Sequence, residues 1–184
     1  KYALTERYVL AVGTVQPRKN LARLAEAVLA LNSSGERIEL VVAGKPGWLS
    51  DVVERDISTS GASGNVRLLG YVEDRDLAAL YTGAEVFCQP SLYEGFGMPV
   101  LEAMACGTPV VAANRSSLPE IGGDAAIYAD PFSSDSIAET LSRVLAEPEL
   151  RQNMIGRGLL RVRDFTWNRT ATQTMNVLQE VLAT

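Results

Sequence analysis

The feature that most restricts how this chain can fold is a series of apolar runs, each followed by glycine, proline or a polar turn and then by a helical pattern. Tyr8–Gly13 is continuously apolar and ends in glycine, as a strand buried on both faces does. Comparable runs occupy Ile38–Ala43, Val66–Leu69, Glu85–Gln89 and Pro109–Ala113, with a weaker sixth at Ala125–Ala129. Between them, Leu21, Leu24, Ala25, Val28 and Leu31 recur on one face of a helix that Asn20 is placed to cap. A less regular helix is expected over Leu49–Thr59. Asp74 is placed to cap another, carrying Leu77 and Leu80 and closed by a left-handed Gly83. A further short helix is expected over Pro99–Ala105, closed by Gly107.

The last third reads as helical. Ser134 opens a run bearing Ile137, Leu141, Val144 and Leu145, Pro148 opens the next, and Trp167–Leu182 places Ala171, Met175, Leu178 and Leu182 on one face. Strand–helix alternation of this kind predicts an α/β fold: a doubly wound parallel sheet flanked by helices, with ligands bound outside the carboxyl ends of the strands. Gly13, Gly44, Gly70 and Ser91 each follow an expected strand, so their loops gather on one edge. Arg18, Lys19 and Glu94 become neighbours on that reading despite their separation in sequence.

Composition narrows the function. The 184 residues suit one well-buried core, at 47% apolar and 21% charged. A net charge of −5 argues against a nucleic-acid partner or a general anionic-surface binder, so any phosphate site must be a local concentration of donors. The absence of histidine removes catalytic triads and imidazole bases. Cys88 and Cys106 fit no metal or disulfide spacing and read as buried thiols in a reducing compartment. Three Asn-x-Ser/Thr triplets, at Asn32, Asn114 and Asn168, are discounted as chance matches. The chain opens on Lys1 without a signal-peptide pattern, and it reads as part of a longer protein.

The segment Glu94-Gly95-Phe96-Gly97-Met98-Pro99-Val100-Leu101-Glu102 carries the chemistry. Two glycines allow close backbone approach, and Pro99 suits the first helical position because it lacks only an N–H that would be unpaired there. The amides of Phe96, Gly97 and Met98 would face outward at the positive end of a helix dipole, which favours an anion such as phosphate. Flanking carboxylates suit a ligand that is also rich in hydroxyls, as a nucleoside-diphosphate sugar is.

In its context this segment resembles the Glu-x7-Glu signature of retaining glycosyltransferases of family 4. Gln89-Pro90-Ser91 precedes it, Ala103-Met104-Ala105-Cys106-Gly107-Thr108-Pro109-Val110-Val111 follows it, and the likeness runs from Ala11-Val12-Gly13 to Phe165-Thr166-Trp167. The resemblance implies a Rossmann-like sheet forming one half of a GT-B fold, the C-terminal, donor-binding half. Residues 1–7 would be a linker from a missing N-terminal domain, 8–165 the nucleotide-sugar domain, and 166–184 a helix packing back toward the missing domain. It implies metal-independent transfer with retention, no cofactor, and a GDP- or UDP-linked sugar donor. The acceptor saccharide would be held by the missing domain, which could also give peripheral membrane association. The implied location is cytoplasmic, up to the inner face of the cell membrane. The wording Pro-Arg-Lys-Asn-Leu and Leu-Tyr-Glu-Gly-Phe-Gly is similar to that of bacterial mannosyltransferases of polysaccharide synthesis, which leans the donor toward GDP-mannose.

The resemblance and the placement of the residues together assign roles. Lys19, with Arg18, would clamp and stabilise the departing diphosphate, a task a bidentate guanidinium also suits. Many family members carry Arg where this chain has Thr14, so Arg18 or the Thr14 hydroxyl would replace that charge. Glu94 would reach hydroxyls of the transferred sugar. Glu102 would accept hydrogen bonds from both ribose hydroxyls, against a simpler reading as a dipole-stabilised acid. Gly13, Gly95, Phe96, Gly97 and Met98 would line the donor site and Tyr71 the base pocket, core packing being the alternative for Tyr71. Lys45, Ser116 and Ser117 are weaker candidates. Trp167 is expected as a packing anchor. Asp74-Arg75-Asp76 resembles a metal-binding Asp-x-Asp but sits where aspartates cap a helix, and no metal is expected.

Three alternatives remain open from the residues. One is a nucleotide-sugar-binding module without transfer, and another is a GT-B-like epimerase or phosphorylase. A dinucleotide oxidoreductase is the third. It is disfavoured because Gly13-Thr14-Val15-Gln16-Pro17-Arg18 is not Gly-x-Gly-x-x-Gly and no acid ends the second strand.

Overall fold

The computed structural model describes residues 1–182. Six strands, β1 (Tyr8–Val12), β2 (Glu39–Ala43), β3 (Val66–Gly70), β4 (Val86–Gln89), β5 (Val110–Ala113) and β6 (Ala126–Ala129), form one sheet in the order β3-β2-β1-β4-β5-β6. Every pairing is parallel. The winding direction reverses between β1 and β4, and a sheet wound this way leaves room for a ligand at that switch point.

The helices are α1 (Leu21–Ser33), α2 (Ser50–Thr59), α3 (Asp74–Gly83), α4 (Met98–Ala105), α5 (Leu118–Gly122), α6 (Ser134–Ala146), α7 (Pro148–Arg161) and α8 (Trp167–Leu182). Because successive strand residues face opposite ways, each strand feeds two cores. Val9, Ala11, Leu40, Val42, Val86 and Cys88 pack against α1, α2 and α6. Tyr8, Leu10, Val41, Ala43 and Phe87 pack against α3, α4 and α5 on the other side. The helical stripes read from the sequence lie where expected: Leu24, Ala25 and Val28 of α1 and Ile137, Leu141 and Val144 of α6 are buried.

Local chemistry departs from expectation at several boundaries. Asn20 occupies the N-cap of α1 in the left-handed conformation, and its side chain makes no capping bond. That amide is used elsewhere, as described below. The N-cap of α3 is Glu73, not Asp74, again without a side-chain bond. Gly83 is the last helical residue, followed by extended Ala84. A Cβ on Gly83 would lie 2.6 Å from the Tyr8 hydroxyl, so packing rather than backbone conformation requires glycine. Helix α4 opens at Met98, which puts Pro99 second. Cys88 is buried and its thiol is pushed up by burial, whereas Cys106 is only half-buried at the end of α4.

Ahead of β1, Tyr2 and Leu4 pack on the α3–α4 side, and Asp76 accepts hydrogen bonds from the Lys1 amine and the Tyr2 hydroxyl. Helix α8 contains no buried residue. Trp167, expected to anchor by packing, is 82% exposed, and Met175, Leu178 and Leu182 are also exposed. Residues 183 and 184 of the expected terminal segment lie outside the described residues. Among the described residues, no helix is long and apolar enough to cross a membrane.

Candidate functional site

The site starts where β1 ends. Gly13 has a φ of +134°, and a Cβ there would come within 3.0 Å of Lys19 Cε and 3.1 Å of its Nζ. Glycine therefore permits the lysine side chain to cross the end of the strand. A 3-10 turn over Pro17–Lys19, opened by proline, returns the chain so that Lys19 is buried (8% exposed). The turn is fastened to the loop after β4: the Leu92 N–H donates to the Arg18 carbonyl at 2.8 Å, and Arg18 Nη1 donates to the Tyr93 carbonyl at 3.0 Å.

Glu94, also 8% exposed, receives three side chains. Lys19 Nζ lies 2.7 Å from Oε1, Ser91 Oγ donates to the same oxygen at 2.7 Å, and Arg18 Nη1 lies 2.8 Å from Oε2. Burial pushes the Glu94 carboxyl up, but bonds from Lys19, Ser91 and Arg18 together outweigh it and bring it down to about 2. The group is a carboxylate throughout the neutral range.

Two serines after β5 hold the backbone of the same loop. The Glu94 N–H donates to Ser116 Oγ at 3.0 Å, and the single Ser117 O–H is shared between the carbonyls of Glu94 (3.1 Å) and Phe96 (2.7 Å). Asn20 ties further loops together. Its Nδ2 donates to the Pro90 carbonyl at 3.0 Å and the Pro131 carbonyl at 2.7 Å, while its Oδ1 accepts from Arg23. Turns following β1, β4, β5 and β6 are thus bonded to one another along one edge of the sheet.

Helix α4 enters this edge. Its N-cap is Gly97 with φ +108°, and no side chain caps it. Among the described residues, nothing accepts from the amides of Gly95, Phe96, Gly97 or Met98. Gly95, Phe96 and Met98 are exposed. Unpaired N–H groups at the positive end of a helix form an environment that favours an anion. Glu102, half-buried on α4, accepts a 2.8 Å hydrogen bond from the Tyr81 hydroxyl. Tyr71, after β3, is 71% exposed, which rules out the core-packing alternative. Thr14 is half-buried and Lys45 exposed. Among the described residues no three or more His, Cys, Asp or Glu side chains lie together as a metal would require.

Taken together, the edge offers two cations, two carboxylates and a row of free amides. The family model described as "Glycosyl transferases group 1" matches residues 2–160. The chain belongs to the group 1 glycosyl transferases. It is 42% identical to an O-antigen chain mannosyltransferase B of Escherichia coli over 96% of its own length and 47% of that protein. It is 34% identical to an MMP alpha-(1->4)-mannosyltransferase of Mycolicibacterium hassiacum, over 95% of this chain and 43% of the relative. The chain therefore spans about half the length of these curated relatives. Among solved structures, a sucrose-phosphate synthase from Thermosynechococcus elongatus superposes with a TM-score of 0.80 at 27% identity, covering 97% of this chain and 46% of that one. The C-terminal domain of a group 1 glycosyl transferase from Francisella tularensis superposes at 0.73, covers 85% of each chain at 24% identity, and shares the fold.

In this glycosyl transferase chain, Arg18, Lys19 and Glu94 are in direct contact, with Gly13 against Lys19. Gly95–Met98 follows on the same loop. Glu102 bonds to Tyr81 and not to the Glu94 cluster. Asp74 and Asp76 hold no capping bond, and Asp76 is engaged by Lys1 and Tyr2. Sequence reasoning ranked Ser116 and Ser117 as weak pocket-lining candidates, whereas their hydroxyls hold the loop backbone. It overlooked the Ser91 hydroxyl, fully buried three residues before Glu94, and Tyr81, whose ring occupies an ordinary apolar helix position. A hydroxyl two residues past β4, in the loop leading to Glu94, was the available signal for Ser91.

Proposed function

We propose that this chain is the donor-binding part of a retaining glycosyltransferase that moves a hexosyl group, a mannosyl group by preference, from a nucleoside-diphosphate sugar to a saccharide or lipid-linked acceptor. The observation that carries the reading is the convergence of Arg18 and Lys19 on Glu94 beside the free amides that open α4. A diphosphate needs such donors, and a departing one is stabilised by fixed cations in a partly desolvated setting. Glu94, held ionised, suits the hydroxyls of the transferred sugar and positive charge developing at its anomeric carbon. Glu102 suits the ribose hydroxyls, and Tyr71, exposed on the neighbouring loop, the base.

Relatives described as mannosyltransferases support the mannosyl group, and the wording Pro17-Arg18-Lys19-Asn20-Leu21 leans the carrier toward GDP. Group transfer would use positioning and electrostatic stabilisation, the leaving diphosphate assisting deprotonation of the acceptor, with no metal or cofactor. The acceptor and any membrane surface would be met by the part of the protein beyond this chain, in the cytoplasm.

Calorimetric titration with GDP, UDP and ADP and their sugars tests the reading, followed by incubation of the full-length protein with the donor that binds. Transfer with the anomeric configuration kept is the expected result. Binding without transfer to a broad acceptor panel would favour a sensing module, and a free epimer or sugar phosphate as product would favour the epimerase or phosphorylase reading.

A further inference from the structure

The two carboxylates of the signature segment are held in opposite ways. Glu94 is met by two cations and a serine hydroxyl. Glu102 has no cation partner among the described residues. Among the described residues the one hydrogen bond to its carboxylate comes from Tyr81, whose hydroxyl reaches Oε2 at 2.8 Å. An ionised carboxylate offers about four acceptor positions, so fixing one oxygen with one donor leaves most of that capacity for a ligand.

Tyr81 is built to stay where it is. It is 1% exposed, on α3, with its ring edge-on to Phe87 at a centroid distance of 5.5 Å. Its carbonyl accepts the Thr108 hydroxyl at 2.7 Å and the Ala84 N–H at 3.0 Å. Burial, followed by the neighbouring Glu102, pushes the phenol far above its ordinary value, so it remains an O–H donor at every working pH. A phenylalanine would fill the same apolar space. The hydroxyl adds one thing, a fixed bond to a carboxylate on the next helix.

We propose that Tyr81 is a positioning residue that presents Glu102 to a vicinal diol of the bound nucleotide, setting how strongly the site prefers a ribonucleotide over one lacking those hydroxyls. The proposal rests on the reading of Glu102 as the ribose acceptor given above. Without the Tyr81 bond, Glu102 would rotate among the rotamers of a half-exposed side chain, and two simultaneous hydrogen bonds to a diol would have to order it first.

The test compares affinities of the full-length protein for GDP and 2′,3′-dideoxy-GDP, or the uridine pair if UDP binds more tightly. Wild type, Tyr81→Phe and Glu102→Ala are measured, each checked for a cooperative melt. The expected result is that wild type prefers the ribonucleotide and that Tyr81→Phe reduces that preference about fivefold or more while leaving dideoxy affinity unchanged. A purely structural role for the hydroxyl would weaken both nucleotides equally, and an unchanged ratio in Tyr81→Phe alongside a collapsed one in Glu102→Ala overturns the proposal while the ribose reading stands. No preference in wild type, or a preference intact in Glu102→Ala, removes the ribose reading and the proposal with it.

Discussion

The ammonium of Lys19 and the carboxylate of Glu94 meet at 2.7 Å across 75 positions of sequence, in a spot where each is 8% exposed. Such a pair is expensive to desolvate and is retained when its geometry and extra hydrogen bonds compensate. Here Ser91 and Arg18 complete the carboxylate, and Gly13 leaves the space through which the lysine arrives.

Removing either partner leaves the other charge partly buried. Glu94→Ala and Lys19→Ala are each expected to lower stability by about 1–3 kcal/mol, at or below the range for fully enclosed pairs, since Arg18 is half exposed to water. In the full-length enzyme each should also reduce turnover at least about tenfold, a barrier increase of ~1.4 kcal/mol. Chemical denaturation and single-turnover kinetics measure the two effects separately, and wild-type turnover in both variants would take these residues out of the reaction.

Acid should act through Glu94. Its carboxyl is at about 2 in the folded protein against an ordinary 4.5. A depressed carboxyl stabilises the fold above the unfolded value and loses that contribution as pH falls from about 4.5 toward 2. At about 1.4 kcal/mol for each tenfold change in proton affinity, roughly 3 kcal/mol is at stake. Glu94→Gln should therefore show a flatter loss of melting temperature than wild type between pH 5 and pH 2. Superimposable pH profiles would contradict this.

Ser117 bridges two carbonyls of the signature loop from the turn after β5. Ser117→Ala is expected to cost about 1 kcal/mol of stability, an ordinary net value for such bonds. Its larger effect should be on kcat/KM for the sugar donor, roughly tenfold, because the loop carrying Glu94 and the free amides loses its outer support. Equal losses in stability and none in kcat/KM would assign the serine to folding alone.

Gly97 admits no side chain without strain. Its φ is +108°, and a Cβ would stand 2.9 Å from Leu118 Cδ2. Gly97→Ala should destabilise by about 1–3 kcal/mol and weaken nucleoside-diphosphate binding, because the turn that aims the amides at α4's entry would have to reopen. Calorimetry on the variant, with its melt recorded alongside, checks both.

Much of the fold was legible because parallel strands buried on both faces write themselves as continuous apolar runs. β1 and β2 lie within one residue of their expected bounds, and the α1 and α6 stripes are buried as patterned. Boundaries that depend on a side chain's choice of partner were not legible. Asn20 looks like a cap in sequence, yet its amide bridges Pro90 and Pro131, 70 and 111 positions away. The same applies to Gly83, which is glycine because Tyr8 reaches it from another element. The face of α8 is a different case: the resemblance had it packing toward a domain beyond this chain, and Trp167, Met175, Leu178 and Leu182 are exposed here.

By itself the order of residues determined the alternation of strand and helix, the edge at which their loops collect, and the signature segment, since these follow from local pattern and from backbone rules common to all chains. That Arg18, Lys19 and Glu94 are neighbours followed from the strand order; tertiary structure alone decided that both cations bond the carboxylate directly with Ser91, that Ser116 and Ser117 hold its loop, and that Tyr81 fixes Glu102. The physical reason is that hydrogen bonds and ion pairs act over about 3 Å in space, and only the closed sheet brings groups so far apart in sequence within that distance.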